Sequence, residues 1–233
     1  MIPENDINFN FGGMGINFSD FSAEINIDAS FESRYIKPPK AKEIAEINLK
    51  YDKAALLAKE IEINQQSRYF FILNGSFYFG DFIEALVVEK GYKVKKMTIS
   101  TLSMNENNVD SLANLLNWGL LDELNLIVSD HFFSHERHNL IPYIYKELDK
   151  NDKFQLAAAG SHCKICIFET YCGKFIIMHG SANLRTSANI EQLVIEESEN
   201  LYHFNDDYQM KIIDKFKTIN KAVRVGQLWK TIQ

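Results

Sequence analysis

Residues 160–192 read GSHCKICIFETYCGKFIIMHGSANLRTSANIEQ, and they set His162, Lys164, Ser181, Asn183, Asn189 and Glu191 within segments that are otherwise apolar. These side-chain types suit a phosphodiester. Its transition state carries negative charge on the nonbridging oxygens, which the Lys164 ammonium, the Asn183 amide and the Ser181 hydroxyl can hold. A neutral imidazole at His162 can attack phosphorus and form a phosphohistidine that water then cleaves. The departing oxygen needs a proton, which asks for a second, protonated imidazole on the opposite side. Glu191 is placed to hydrogen-bond the far nitrogen of His162 and hold its tautomer. The scheme uses no metal and no organic cofactor.

Other residues of the same types carry less. Cys163 and Cys166 fall at odd spacing, on opposite faces of a strand, which argues against a zinc pair. His131, His135 and His138 lie at helical spacing but lack a carboxylate-rich frame, so they read as a solvated loop or the start of a helix. His179 reads as a residue of the site wall, and Arg185, just past the motif, as either a phosphate contact or a surface charge. Asn189 joins these as a substrate-binding candidate.

Strand alternation is what must position the set. A strand over 154–169 puts His162, Lys164 and Cys166 on one face. A Cys-Gly-Lys turn at 172–174 starts a second strand over 175–183, where Ser181 and Asn183 again share a face. A third strand over 189–197 brings in Asn189 and Glu191. Neighbouring strands would gather these groups at one point. Upstream, one or two helices are expected between Ala41 and Ile63. A strand over 67–77 is followed by a helix over 79–91, a strand over 93–104, a helix over 109–121, a strand over 124–130 and a helix over 139–151. Strands alternating with helices predict an α/β sandwich, with a mostly parallel central sheet flanked by helices on both faces.

The chain has 233 residues, 46% of them hydrophobic, enough for one sizeable core. It has no apolar run long enough to span a membrane and no secretion signal at its start, and its three cysteines sit close together, which suits the reducing cytoplasm. The net charge is −6, but residues 1–33 hold six acids and no Lys or Arg, so the remainder has 25 acids to 25 basic residues. Charge therefore neither supports nor excludes a polyanionic substrate. Residues 1–36 form an acidic Asn-, Phe- and Gly-rich arm, a mobile tail or a docking element for an assembly such as a phage particle. The Pro pair at 38–39 marks the start of the main domain, 37–233.

His-x-Lys at His162 and Lys164, followed by Gly-Ser-x-Asn at Gly180, Ser181 and Asn183, resembles the signature of the phospholipase D superfamily, in particular its single-motif members from bacteria, phages and mobile elements. The resemblance implies a phospholipase D-like domain and a metal-independent phosphodiesterase, most readily a nuclease. The alternatives are a phospholipid phosphodiesterase and a weakly catalytic binding protein of a phage or mobile element. It also implies a homodimer, since one motif supplies one imidazole and a twofold axis would place two His162 side chains in a shared active site. The family places an Asp five positions after the Lys, where this chain has Glu169, and the stretch from that residue to Gly180 is longer than usual. In the family that Asp is mainly a support for the hairpin.

Overall fold

The computed structural model describes residues 43–44, 54–73, 75, 77–150, 152–185 and 189–219. The arm at 1–36 and the proline pair lie outside the described residues. Along the chain come β1 (Glu43–Ile44), α1 (Ala54–Glu60), β2 (Ser67–Leu73), α2 (Phe79–Glu89), β3 (Val94–Thr101), α3 (Glu106–Asn117), β4 (Leu121–Ser129), α4 (Asp130–His135), α5 (Leu140–Leu148), β5 (Phe154–Ala159), β6 (Ile165–Thr170), β7 (Phe175–Gly180), β8 (Glu191–Glu197) and α6 (Glu199–Phe216). The strands form one sheet in the order β1-β2-β8-β7-β6-β3-β4-β5.

Helices cover both faces, as expected. On one side α1, α2, α3 and α5 pack Leu57, Phe82, Leu86, Leu115, Ile144 and their neighbours against the strands. On the other, α6 closes two smaller clusters, one of Ile165, Ile167, Ile177 and Tyr202, the other of Ile127, Ala157 and Ile213. Central strands are therefore buried on both faces: Ile165 through Phe168 and Ile176 through Met178 are all inside. That is why β6 and β7 read as continuous apolar runs rather than as alternating ones.

The sheet is not mostly parallel. Parallel pairs join β1 to β2, β3 to β4 and β4 to β5, whereas β2·β8, β8·β7, β7·β6 and β6·β3 are antiparallel. Strand and helix alternate only as far as β5, and only there do crossovers allow parallel neighbours. From β6 to β8 no described residue is helical, and neighbouring strands joined without a helical crossover run antiparallel. The turn between β6 and β7 is tight, with Gly173 at φ 80°, a conformation glycine adopts without strain.

Two boundaries also differ from the sequence expectation. Glu43–Ile44 pairs with Ser67 and Arg68 as a short parallel strand where a helix was expected. The expected strand over 154–169 is two strands, β5 on the sheet edge and β6 three places away, separated by residues 160–164. Those residues must cross the ends of β4 and β3, about 14 Å at the usual strand spacing, which a ladder-bound strand cannot do. Gly160, exposed and without a side chain, opens the break.

Candidate active site

The expected site residues other than His179 gather at one edge of the sheet. β3, β4 and β5 end there; β6, antiparallel to β3, begins there, with Ile165 opposite Ser100. β7 ends at the same edge with Gly180, opposite Leu193 of β8, and β8 begins there with Glu191 opposite Leu73 of β2. A crevice outside the carboxyl ends of strands is where open α/β sheets place ligands.

His162 and Lys164 do not sit on a strand. They belong to the crossover from β5 to β6, and Lys164 is the last residue before the ladder resumes. Strand alternation therefore does not set their directions; the ends of β3 and β4 do. His162 lines a cleft of about 450 Å3 with Leu102, Ser129, Asp130, His131, Gly160 and Ser161. The Lys164 ammonium turns back to the His162 carbonyl oxygen at 3.4 Å. His162 is exposed and Lys164 half-buried.

The Gly-Ser-x-Asn half is joined to this segment through the backbone. Gly180 donates its N–H to the Lys164 carbonyl at 3.2 Å, and Ser181 donates its own to the Gln192 carbonyl at 2.9 Å. Beyond Gly180 the chain leaves the sheet, so Ser181 and Asn183 are not on the second strand as expected. The loop is anchored by burying Ala182 and Leu184 while leaving Ser181 exposed. Three further hydrogen bonds hold it. Asn183 Oδ1 accepts from the Leu102 N–H at 3.1 Å, Thr101 Oγ1 accepts from the Leu184 N–H at 3.3 Å, and the Leu184 carbonyl accepts from the Gly80 N–H at 3.1 Å. The Asn183 acceptor is thus used on the protein, which leaves its amide NH2 as the group able to donate outward.

Glu191 pairs differently from the expectation. Its Oε2 accepts from the Ser181 hydroxyl, and Ser181 Oγ in turn accepts from the Gln192 N–H at 2.9 Å. Among the described residues no hydrogen bond joins Glu191 to His162. The physical reason is the strand register: Glu191 starts β8 directly beside the end of β7, while His162 lies across β6 over β3 and β4. Asn189 precedes β8 instead of lying on it, and with Asn183, Arg185, Glu191, Phe77 and Tyr78 it lines a second, narrower cleft next to the first.

His179 stands apart from both clefts. It is half-buried on β7, paired with Ile165 and Val194 in the ladder. Burial lowers its pKa below 6.5; nearby Glu196 opposes that shift and Arg68 adds to it. Glu169 is farther still. It lies toward the opposite end of β6, opposite Phe175, and its carboxylate takes a 2.6 Å hydrogen bond from Lys95. Five residue steps of extended strand separate it from Lys164, roughly 16 Å.

Sequence reasoning missed Thr101, Leu102, Asp130 and His131 as residues of the site. The available signal was that each directly follows or ends a parallel strand, at the edge where such sheets bind ligands. His131 is the second residue of α4 and is exposed, its ring parallel to that of His135 at 6.3 Å between centroids. The described residues hold no group of three or more His, Cys, Asp or Glu able to bind a metal ion, and no described helix is long and apolar enough to cross a membrane.

No protein-family model matches the sequence, and no curated protein matches it. Among solved structures the chain is similar to phosphatidylserine synthase of Haemophilus influenzae, with 15% identity and a TM-score of 0.47 over 66% of this chain and 40% of that one. It is also similar to NucT from Helicobacter pylori, with 14% identity and a TM-score of 0.44 over 65% of this chain and 98% of that one. The phospholipase D family member Nuc from Salmonella typhimurium likewise resembles this chain, at 13% identity and a TM-score of 0.46, over 64% of this chain and 96% of Nuc.

Proposed function

We propose that this protein is a phosphodiesterase of the phospholipase D type that works without a metal, with nucleic acid as its substrate. The observation that carries the reading is the junction between the two halves of the motif. The 3.2 Å hydrogen bond from Gly180 to Lys164 sets Ser181 and Asn183 beside the segment that bears His162, although the two halves leave different strands. In this reading the Lys164 ammonium, the Asn183 amide and the Ser181 hydroxyl receive the nonbridging oxygens. Glu191 fixes the Ser181 hydroxyl, so its effect on the phosphate passes through Ser181. His162, exposed in the cleft, is the nucleophile.

The test is turnover of bis(4-nitrophenyl) phosphate, single- and double-stranded DNA and RNA in EDTA by the purified chain and by His162→Asn. Cleavage of a nucleic acid by the parent, abolished in the variant at unchanged fold, is the expected result. Cleavage by the variant at the parent's rate overturns the site. Turnover of the small diester with no nucleic acid cleaved overturns the substrate class.

A further inference from the structure

We infer that Tyr208 of α6, acting through Cys163, is a positioning residue for His162. The inference rests on the phosphodiesterase reading above and adds to it what aims the nucleophile. On a strand, the ladder and the pleat set the direction of a side chain. His162 has neither, because it belongs to the crossover between β5 and β6. An exposed imidazole on an unpaired segment needs another tie if it is to meet phosphorus in line.

The backbone of the crossover is fixed at its ends. Ser161 donates its N–H to the Ala159 carbonyl at 2.7 Å, and the Lys164 carbonyl accepts the Gly180 N–H at 3.2 Å. Between these points the Cys163 N–H donates to Ser161 Oγ at 3.2 Å, a bond made within the crossover itself. The side chain of Cys163 supplies the tie to a further element: its thiol is hydrogen-bonded to the Tyr208 hydroxyl. Cys163 stands between His162 and Lys164 in the chain, so holding it restricts the backbone torsions on either side.

The anchor on α6 is itself held firmly. Tyr202 packs among Ile165, Ile167 and Ile177, Ile213 packs on Ile127 and Ala157, and the Asp206 carboxylate takes the Lys96 ammonium of β3 at 2.8 Å. Tyr208 lies along the helix between the two apolar clusters and is half-buried. Gln209, fully buried, donates from Nε2 to Tyr208 Oη at 3.3 Å, which leaves the phenol proton for the Cys163 sulfur. Burial, with Cys163 beside it, holds the Tyr208 pKa above its ordinary value of 10.0, so the hydroxyl keeps that proton at neutral pH.

The test is a set of conservative variants in the full chain, with bis(4-nitrophenyl) phosphate as substrate in EDTA. Tyr208→Phe removes only the hydroxyl, and Cys163→Ala only the thiol. Each is expected to lower kcat about 10- to 100-fold, the scale of a reactant displaced by up to about 1 Å, with KM and the urea midpoint nearly as in the parent. Cys163→Ser keeps a partner for the phenol and should stay within about threefold of the parent. The double variant Cys163→Ala/Tyr208→Phe should lose no more than either single one, because both act through one contact. Parent-like kcat in Tyr208→Phe, additive losses in the double variant, a change confined to KM, or a loss that tracks a lower urea midpoint overturns the proposal. A second readout does not depend on turnover. In chain labelled with 15N-histidine, the imidazole signals that vanish in His162→Asn should move in Tyr208→Phe and Cys163→Ala and hold their parent positions in Cys163→Ser. Signals unmoved in Tyr208→Phe overturn the proposal whatever the kinetics. An inactive parent removes the phosphodiesterase reading instead, and the imidazole signals then decide the positioning by themselves.

Discussion

Gly180 and Gln192 approach so closely that a Cβ on Gly180 would stand 1.9 Å from the Gln192 carbonyl oxygen. The approach is what lets Ser181 donate its N–H to that carbonyl at 2.9 Å and accept the Gln192 N–H on its hydroxyl. The glycine of the motif is therefore a packing requirement of the β7·β8 junction, not a source of flexibility.

Gly180→Ala forces the two strands apart at the point where the site is tied together. The expected cost is about 1–3 kcal/mol of stability, typical of overpacking a closed junction. It should appear as a lower urea midpoint at unchanged slope. An unshifted midpoint would show that the junction relaxes without cost.

Asn183 separates two duties. Its Oδ1 holds the Leu102 N–H, and in the proposed site its NH2 donates to phosphate. Asn183→Asp keeps the acceptor and loses the donor, so stability should hold within about 1 kcal/mol while turnover falls at least tenfold. Asn183→Ala should lower both. Full activity in Asn183→Asp would remove this residue from phosphate binding.

Glu191→Gln keeps an oxygen for the Ser181 hydroxyl but removes the charge. Turnover is expected to fall several-fold with KM nearly unchanged, because in the proposed site Glu191 acts on the phosphate through Ser181. A change confined to KM argues for direct substrate contact.

Glu169 stands where the related motif carries Asp, yet its partner is Lys95 at 2.6 Å, far from the cleft. A half-exposed pair of this kind contributes at most about 1 kcal/mol. Glu169→Ala should therefore cost little stability and leave turnover as in the parent. A large loss of activity at unchanged stability would tie the far end of the hairpin to the site.

Burial holds the pKa of His179 below 6.5. In the unfolded chain it binds a proton more readily, so the unfolded state holds more protons in the interval just below pH 6.5, and stability there rises with pH. The contribution is complete above pH 6.5 and is lost as pH falls through that interval. His179→Gln should flatten the dependence of the urea midpoint on pH between 7.5 and 5. An equally steep profile in the variant assigns the loss to another group.

What the sequence determined by itself is the inventory of the chemistry and the order of the elements. His162, Lys164, Ser181, Asn183 and Glu191 do come to one edge of the sheet, and α2, α3 and α5 form near their expected places, because amphipathic spacing, caps and turn residues act over a few positions. Only the tertiary structure decided how the pieces meet. The direction of each strand pair depends on partners far away in the chain, so the antiparallel majority was not legible in a local alternation of strands and helices. His162 left its expected strand for the same reason: β5 and β6 have different neighbours, and the residues between them must bridge the gap. Glu191 met Ser181 through a register set by the whole β2·β8·β7 ladder, and His131 reached the His162 cleft through the parallel placement of β4 beside β3. Each of these is a contact between residues distant in sequence, where spacing along the chain carries no information.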